Sequence, residues 1–166
     1  MTTVACIGEC MIELSQGADN RLTRSYGGDT LNTAIYLARL GVSTDYVTAL
    51  GDDPFSDEML NSWTEENIGV GRVVRVRGKL PGLYAIRTSE AGERSFYYWR
   101  ENSAARLLLD LPETGGLLAS LAGYDMVYLS GVTLSLYSAD GRQRLIEALK
   151  TARKGATRVV FDTNFR

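Results

Sequence analysis

The run Gly27-Gly28-Asp29-Thr30-Leu31-Asn32 is the first candidate for chemistry, because a glycine pair ahead of a helix lets backbone N–H groups approach a ligand oxygen with no Cβ in the way. The same run also suits a tight strand-to-helix turn capped by Asp29 or Thr30. A second candidate is the segment on either side of the loop Ser89 to Glu93. If the hairpin is symmetric about Ala91, Tyr84 lies opposite Tyr98 and both point to one face, with Phe96 and Arg100 beside them by period-2 alternation. Two phenols and a guanidinium on one face could hold a polyhydroxylated acid, Arg100 gripping its carboxylate, although aromatic strands also simply pack. The third candidate is Asp162, Asn164 and Arg166, which alternate at the end of the last strand and so share a face. Glu9 and Glu13 look superficially like paired carboxylates, but read as ordinary strand-edge solvation.

These residues need a scaffold, and hydrophobic periodicity supplies one. Val4 to Ile7 predicts a core strand and Met11 to Leu14 a second extended piece, while Leu31, Ala34, Ile35 and Ala38 form a helical stripe stopped at Gly41. Tyr46 to Leu50 predicts the next strand, and Asp53-Pro54 an N-cap with proline in the first turn of a helix carrying Phe55, Met59 and Trp63. Arg72 to Arg77, Leu83 to Thr88 and Ser95 to Arg100 read as a meander, with glycine or proline at the turns. Strands at Met126 to Leu129 and Val159 to Phe161 then alternate with helices, the mark of a parallel α/β sheet. The last strand has no helix after it, at the strand end where open α/β sheets bind ligands, so the fold is expected to lack its C-terminal part.

Composition narrows the partners. The 166 residues are 45% hydrophobic and 23% charged, enough for one globular core, and the 18 basic and 20 acidic side chains are dispersed. No basic block suggests nucleic acid, and no apolar run suggests a membrane span or secretory leader, so a cytoplasmic protein with a small-molecule ligand is expected. With no histidine and only Cys6 and Cys10 as thiols, neither a zinc site nor a histidine base is available. In an extended segment those two cysteines stand roughly 13 Å apart, too far for a disulfide.

The stretch Gly27 to Ala34, with Gly41 and Gly51 at their spacing, resembles the N-terminal signature of the ribokinase or PfkB-type carbohydrate kinases. Gly8-Glu9-Cys10-Met11-Ile12-Glu13-Leu14, Leu80-Pro81-Gly82-Leu83-Tyr84, Gly92-Glu93-Arg94, Phe96-Tyr97-Tyr98-Trp99-Arg100 and Tyr128-Leu129-Ser130-Gly131 narrow the resemblance to the 2-keto-3-deoxygluconate kinases of that family. It implies an α/β fold of ribokinase type, a parallel sheet flanked by helices within residues 1–166, with a small β-sheet lid at about 11–26 and 72–100. It further implies ATP and Mg²⁺ as cofactors and a sugar acid as substrate. Gly28, Asp29 and Asn32 would line the sugar pocket, Tyr84, Tyr98 and Arg100 would come from the lid, Arg166 would reach the substrate from the other side, and Asn164 would sit near the phosphates. A homo-oligomer formed through the lid sheet is also expected.

The family's Gly-Ala-Gly-Asp motif, which supplies an anion hole and an aspartate base, has no match in this sequence. The resulting expectation is a substrate-binding and lid portion, inactive alone and without a catalytic base or metal site of its own. The alternatives are a non-catalytic sugar-binding or oligomerising module, and a kinase for a different sugar such as ribose or fructose.

Overall fold

A computed structural model of the protein describes residues 2–17, 19, 21–89 and 91–164. Its main sheet is built around β1 (Thr3–Ile7), whose neighbours are β4 (Ser43–Gly51) on one side and β9 (Met126–Ser130) on the other. β10 (Arg158–Asp162) pairs with β9, and the short strands β5 (Ile68–Gly69) and β6 (Val73–Val76) both pair with β4. Each of these pairings is parallel. Strand alternation divides the side chains between two cores. Val4, Cys6, Tyr46 and Leu50 pack with Leu31 and Ala34 of α1 (Asp29–Arg39) and with Met59 and Trp63 of α2 (Pro54–Glu65). Ala5, Ile7, Val47, Ala49, Val127 and Leu129 face the opposite layer. That layer contains the 3₁₀ turn Ala104–Asp110, α3 (Thr114–Ser120), α4 (Gly131–Leu136) and α5 (Ala139–Lys154).

Local sequence sets the helix boundaries. Asp53 accepts hydrogen bonds from the backbone N–H groups of Phe55 and Ser56, with Pro54 placed where a missing N–H costs nothing. Ser130 and Thr133 form a reciprocal capping box at the start of α4. Gly28, in extended backbone, is the N-cap of α1, rather than Asp29 or Thr30.

A second sheet runs β3-β2-β7-β8, from β2 (Met11–Gln16), β3 (Leu22–Gly27), β7 (Gly82–Thr88) and β8 (Arg94–Trp99). β2 is antiparallel to β3 and parallel to β7, and β7 is antiparallel to β8. Tyr84 pairs with Tyr98, the register that symmetry about Ala91 requires. Val73–Val76 is placed elsewhere than the sequence suggests: it joins the main sheet beside β4. Its β-branched composition specifies a strand but not which sheet receives it.

The expectation of a fold with its C-terminal part absent is corrected. α4, α5 and β10 are all formed, and β10 pairs with β9 along its whole length, from Arg158↔Met126 to Asp162↔Ser130. Leu145, Leu149 and Ala152 of α5 are buried, and Val159 packs against the same core. The residues after Gly131 therefore complete a layer over the sheet, and the position of the last residue is no measure of how well that layer is built.

Candidate active site

A cavity of about 410 Å³ lies between the carboxyl ends of the main strands and the inner face of the second sheet. Gly28, Asp29 and Asn32 contribute to its wall from the start of α1, Tyr84, Tyr98 and Arg100 from the second sheet and its exit, and Asn164 from beyond β10. Seven of the eight substrate- and nucleotide-site candidates thus line one space. The eighth, Arg166, lies outside the described residues.

The helix start is held close to the β1–β2 connection. A Cβ on Gly28 would stand 2.2 Å from the Glu9 carbonyl oxygen, so this position excludes any larger residue. That contact sets where Asp29 emerges. Asn164, at φ 40 in the left-handed region that asparagine tolerates, is held by its own backbone N–H, which donates to Asp162 Oδ1 at 2.9 Å. Its Nδ2 donates to Asp29 Oδ2, also at 2.9 Å. Asn164, expected near the phosphates, is therefore bonded directly to a residue expected on the sugar.

The phenols are arranged as a wall. The Tyr84 and Tyr98 ring centroids are 5.8 Å apart, and Phe96 stacks on Tyr98 at 6.4 Å. The Tyr84 hydroxyl donates to Glu13, whose other oxygen accepts from Ser15 and Ser25. Burial, and then the bond to Glu13, push the Tyr84 phenol well above its usual range, so it remains a neutral donor. Tyr98 is 54% exposed and lines the cavity beside Tyr84.

Glu9, read from the sequence as surface solvation, is instead 4% exposed and lines the cavity. Its Oε2 lies 2.5 Å from Arg100 Nη2, and Ser103 Oγ donates to its Oε1 at 2.5 Å. The Arg100 contact is ionic rather than hydrogen-bonded in its angles, and Arg100 Nε has no hydrogen-bond partner among the described residues. Burial pushes the Glu9 carboxyl up, while Arg100 and then Ser103 pull it back. Met11, Val132 and Thr133 also line the cavity without having been singled out, and Thr133 is fixed by donating to the Ile7 carbonyl at 2.9 Å. The glycine next to Glu9 was the available signal, since Gly8 ends a core strand where ligands of such sheets collect.

Among the described residues, no three carboxylate or thiol groups converge into a metal-binding set. The cavity's two carboxylates are already engaged, Glu9 by Arg100 and Ser103 and Asp29 by Asn164. These residues do not by themselves fit Mg²⁺, and no step is assigned to it.

The family model described as pfkB family carbohydrate kinase matches residues 1–166. The 2-dehydro-3-deoxygluconokinase of Dickeya dadantii (strain 3937) is 48% identical over 173 residues, covering 100% of this chain and 55% of that protein. The enzyme of the same name from Escherichia coli (strain K12) is 45% identical, covering 98% of this chain and 54% of that protein. A fructokinase from Xylella fastidiosa solved with bound ATP superposes with a TM-score of 0.81 at 28% identity, over 99% of this chain and 49% of that one. The chain thus spans about half the length of the curated relatives it matches.

Proposed function

The chain belongs to the pfkB family of carbohydrate kinases, and from that membership we propose that the protein phosphorylates 2-keto-3-deoxygluconate with ATP. The observation that carries this reading is the convergence of Arg100, Asp29, Asn32 and Asn164 on one cavity beneath an aromatic wall. Arg100 would face the substrate carboxylate, Asp29 and Asn32 its hydroxyls, and the Tyr84–Tyr98 wall its carbon skeleton. The relatives named 2-dehydro-3-deoxygluconokinase support the acid as substrate, and the fructokinase solved with ATP supports ATP as donor. In the reaction, the substrate hydroxyl oxygen bonds to the γ-phosphorus as the bond to the β,γ-bridging oxygen breaks. The hydroxyl proton is released and ADP leaves.

The expectation of a portion inactive alone is corrected along with the fold. It rested on where the sequence stops and on one absent motif, whereas the family model matches residues 1–166 and the Asp29–Asn164 bond joins the helix start to the strand end across the cavity. Self-association through the second sheet is part of the proposal, supported by Tyr97 at 48% and Trp99 at 61% exposure on the outer strand β8.

A second reading, a kinase for a neutral sugar, is favoured by one observation: Glu9 already neutralises Arg100. Coupled measurement of ADP release with 2-keto-3-deoxygluconate and with fructose separates the two. The proposal expects kcat/KM to favour the acid by on the order of tenfold to a hundredfold, the worth of a hydrogen bond to a charged group. A preference for fructose would overturn it.

A further inference from the structure

We propose that Glu9 is a positioning residue for substrate selection: it acts through Arg100, fixing the guanidinium against the cavity wall so that its remaining donors meet the acid group of the substrate. The inference rests on the sugar-acid reading and adds to it a residue that touches Arg100 rather than the reacting atoms.

Three observations converge on it. First, the Glu9 side chain is 2% exposed and the Arg100 side chain 17%, so the pair is desolvated, yet both residues line the cavity. A buried charge persists only with a partner, and here each is the other's partner. Second, Glu9 is itself clamped. Ser103 Oγ holds Oε1 at 2.5 Å, and the backbone at Gly82 runs so near that a Cβ there would stand 2.9 Å from Oε1 and 3.1 Å from Arg100 Cβ. The carboxylate therefore has little freedom, and the guanidinium it holds has correspondingly little. Third, Nε and Nη2 of Arg100, both buried, lack hydrogen-bond partners among the described residues, so the ionic contact with Glu9 leaves the arginine's hydrogen-bonding capacity unspent. A carboxylate that only balanced charge would need none of this restraint, because a mobile surface pair would do as well.

The opposing effect is electrostatic. Removing the Glu9 charge leaves the site more positive, which by itself favours an anion. Arg100 would also lose the contact that orients it, whereas Arg106, whose charge also acts on Glu9, keeps its ion pair with Glu101. Misplacing a recognition group by about 1 Å can cost up to about 100-fold, so loss of orientation is expected to prevail.

The test uses steady-state kinetics on the protein and its variants with 2-keto-3-deoxygluconate and with fructose, alongside thermal melts to confirm folding. Glu9→Gln keeps the shape and the capacity to bond Ser103. It is expected to raise KM for the acid about tenfold while changing kcat and the fructose KM by less than about twofold. In the Arg100→Gln background, adding Glu9→Gln should change the acid KM by less than about twofold, because the residue it acts through is gone. Ser103→Ala, which loosens Glu9 without removing a charge, should shift the acid KM in the same direction by about two- to threefold, and stands in if Glu9→Gln fails to fold. If the unmodified protein prefers the acid and neither variant moves its KM, or if the Glu9 and Arg100 effects multiply, the inference is overturned alone. If the unmodified protein prefers fructose, the substrate reading is overturned and the inference with it.

Discussion

The two sheets of this protein obey opposite rules. In the main sheet β1, β4 and β9 are buried on both faces, and their alternating side chains feed two separate cores. In the second sheet β8 is exposed at every position, and large aromatic side chains stand in solvent or over the cavity. Apolar surface on β1, β4 and β9 is committed to holding the fold together, while the edge strand β10 leaves Val160 and Phe161 exposed. In the second sheet it is left available, which is what a surface awaiting a ligand or partner requires. Stability and recognition are therefore separable by substitution, and Glu9–Arg100 is where they meet.

The sharpest test of that division is Trp63→Ala. Trp63 is 1% exposed and its ring meets Tyr46 edge-on at 5.0 Å, so truncation opens a cavity inside one core. A loss of about 3–5 kcal/mol in denaturant unfolding is expected, and a much smaller loss would break the contrast between the sheets. Next comes Arg100→Met, expected to cost about 3 kcal/mol at neutral pH because it strands a buried carboxylate. The sign of its pH dependence follows from the raised Glu9 carboxyl. The folded state holds that proton more tightly than the unfolded chain, whose carboxyl keeps the ordinary value of 4.5, so Glu9 costs stability as pH rises above that value. Removing Arg100 raises the folded carboxyl further. The variant's deficit should thus be small near pH 4.5 and grow toward neutrality, and urea melts at both ends of that range would detect the opposite trend. The smallest effect belongs to the second sheet: Tyr98→Ala, at a position 54% exposed, should leave stability within about 0.5 kcal/mol of the parent. Calorimetry on the same variant should show weakened binding of the sugar acid, and a large stability loss with intact binding would reverse the assignment of roles.

What could be read from the sequence was what depends on near neighbours. The apolar run Val4 to Ile7 is a local pattern, as are the Asp53 cap and the hairpin register about Ala91. What escaped depends on distant partners. Val73–Val76 is a strand by composition, but only β4, met in three dimensions, decides its sheet. Glu9 looks solvated until Ser103, 94 positions away, and Arg100 close over it. Asn164 was placed near the phosphates by the family resemblance, and no local pattern announces that its side chain bonds Asp29, 135 positions earlier. The apparent lack of a C-terminal layer was an error of a different kind, since it treated the last residue as a boundary of the fold.

The parallel pairing of β2 with β7 bears on the order in which the chain acquires its structure. Tyr84 and Glu13, bonded across that seam, are 71 positions apart, and the intervening segment contains α1, β4 and α2. Closing so long a loop for a single strand pair is entropically unfavourable until the intervening elements have condensed. The hairpin β7–β8 can form early from local contacts, but its attachment to β2 must wait for β1, β4 and their helices. Amide protons in the β2–β7 seam should accordingly gain protection from exchange after those of β1 and β4 during refolding, and the cavity, which needs that seam, should be the last part of the molecule to mature.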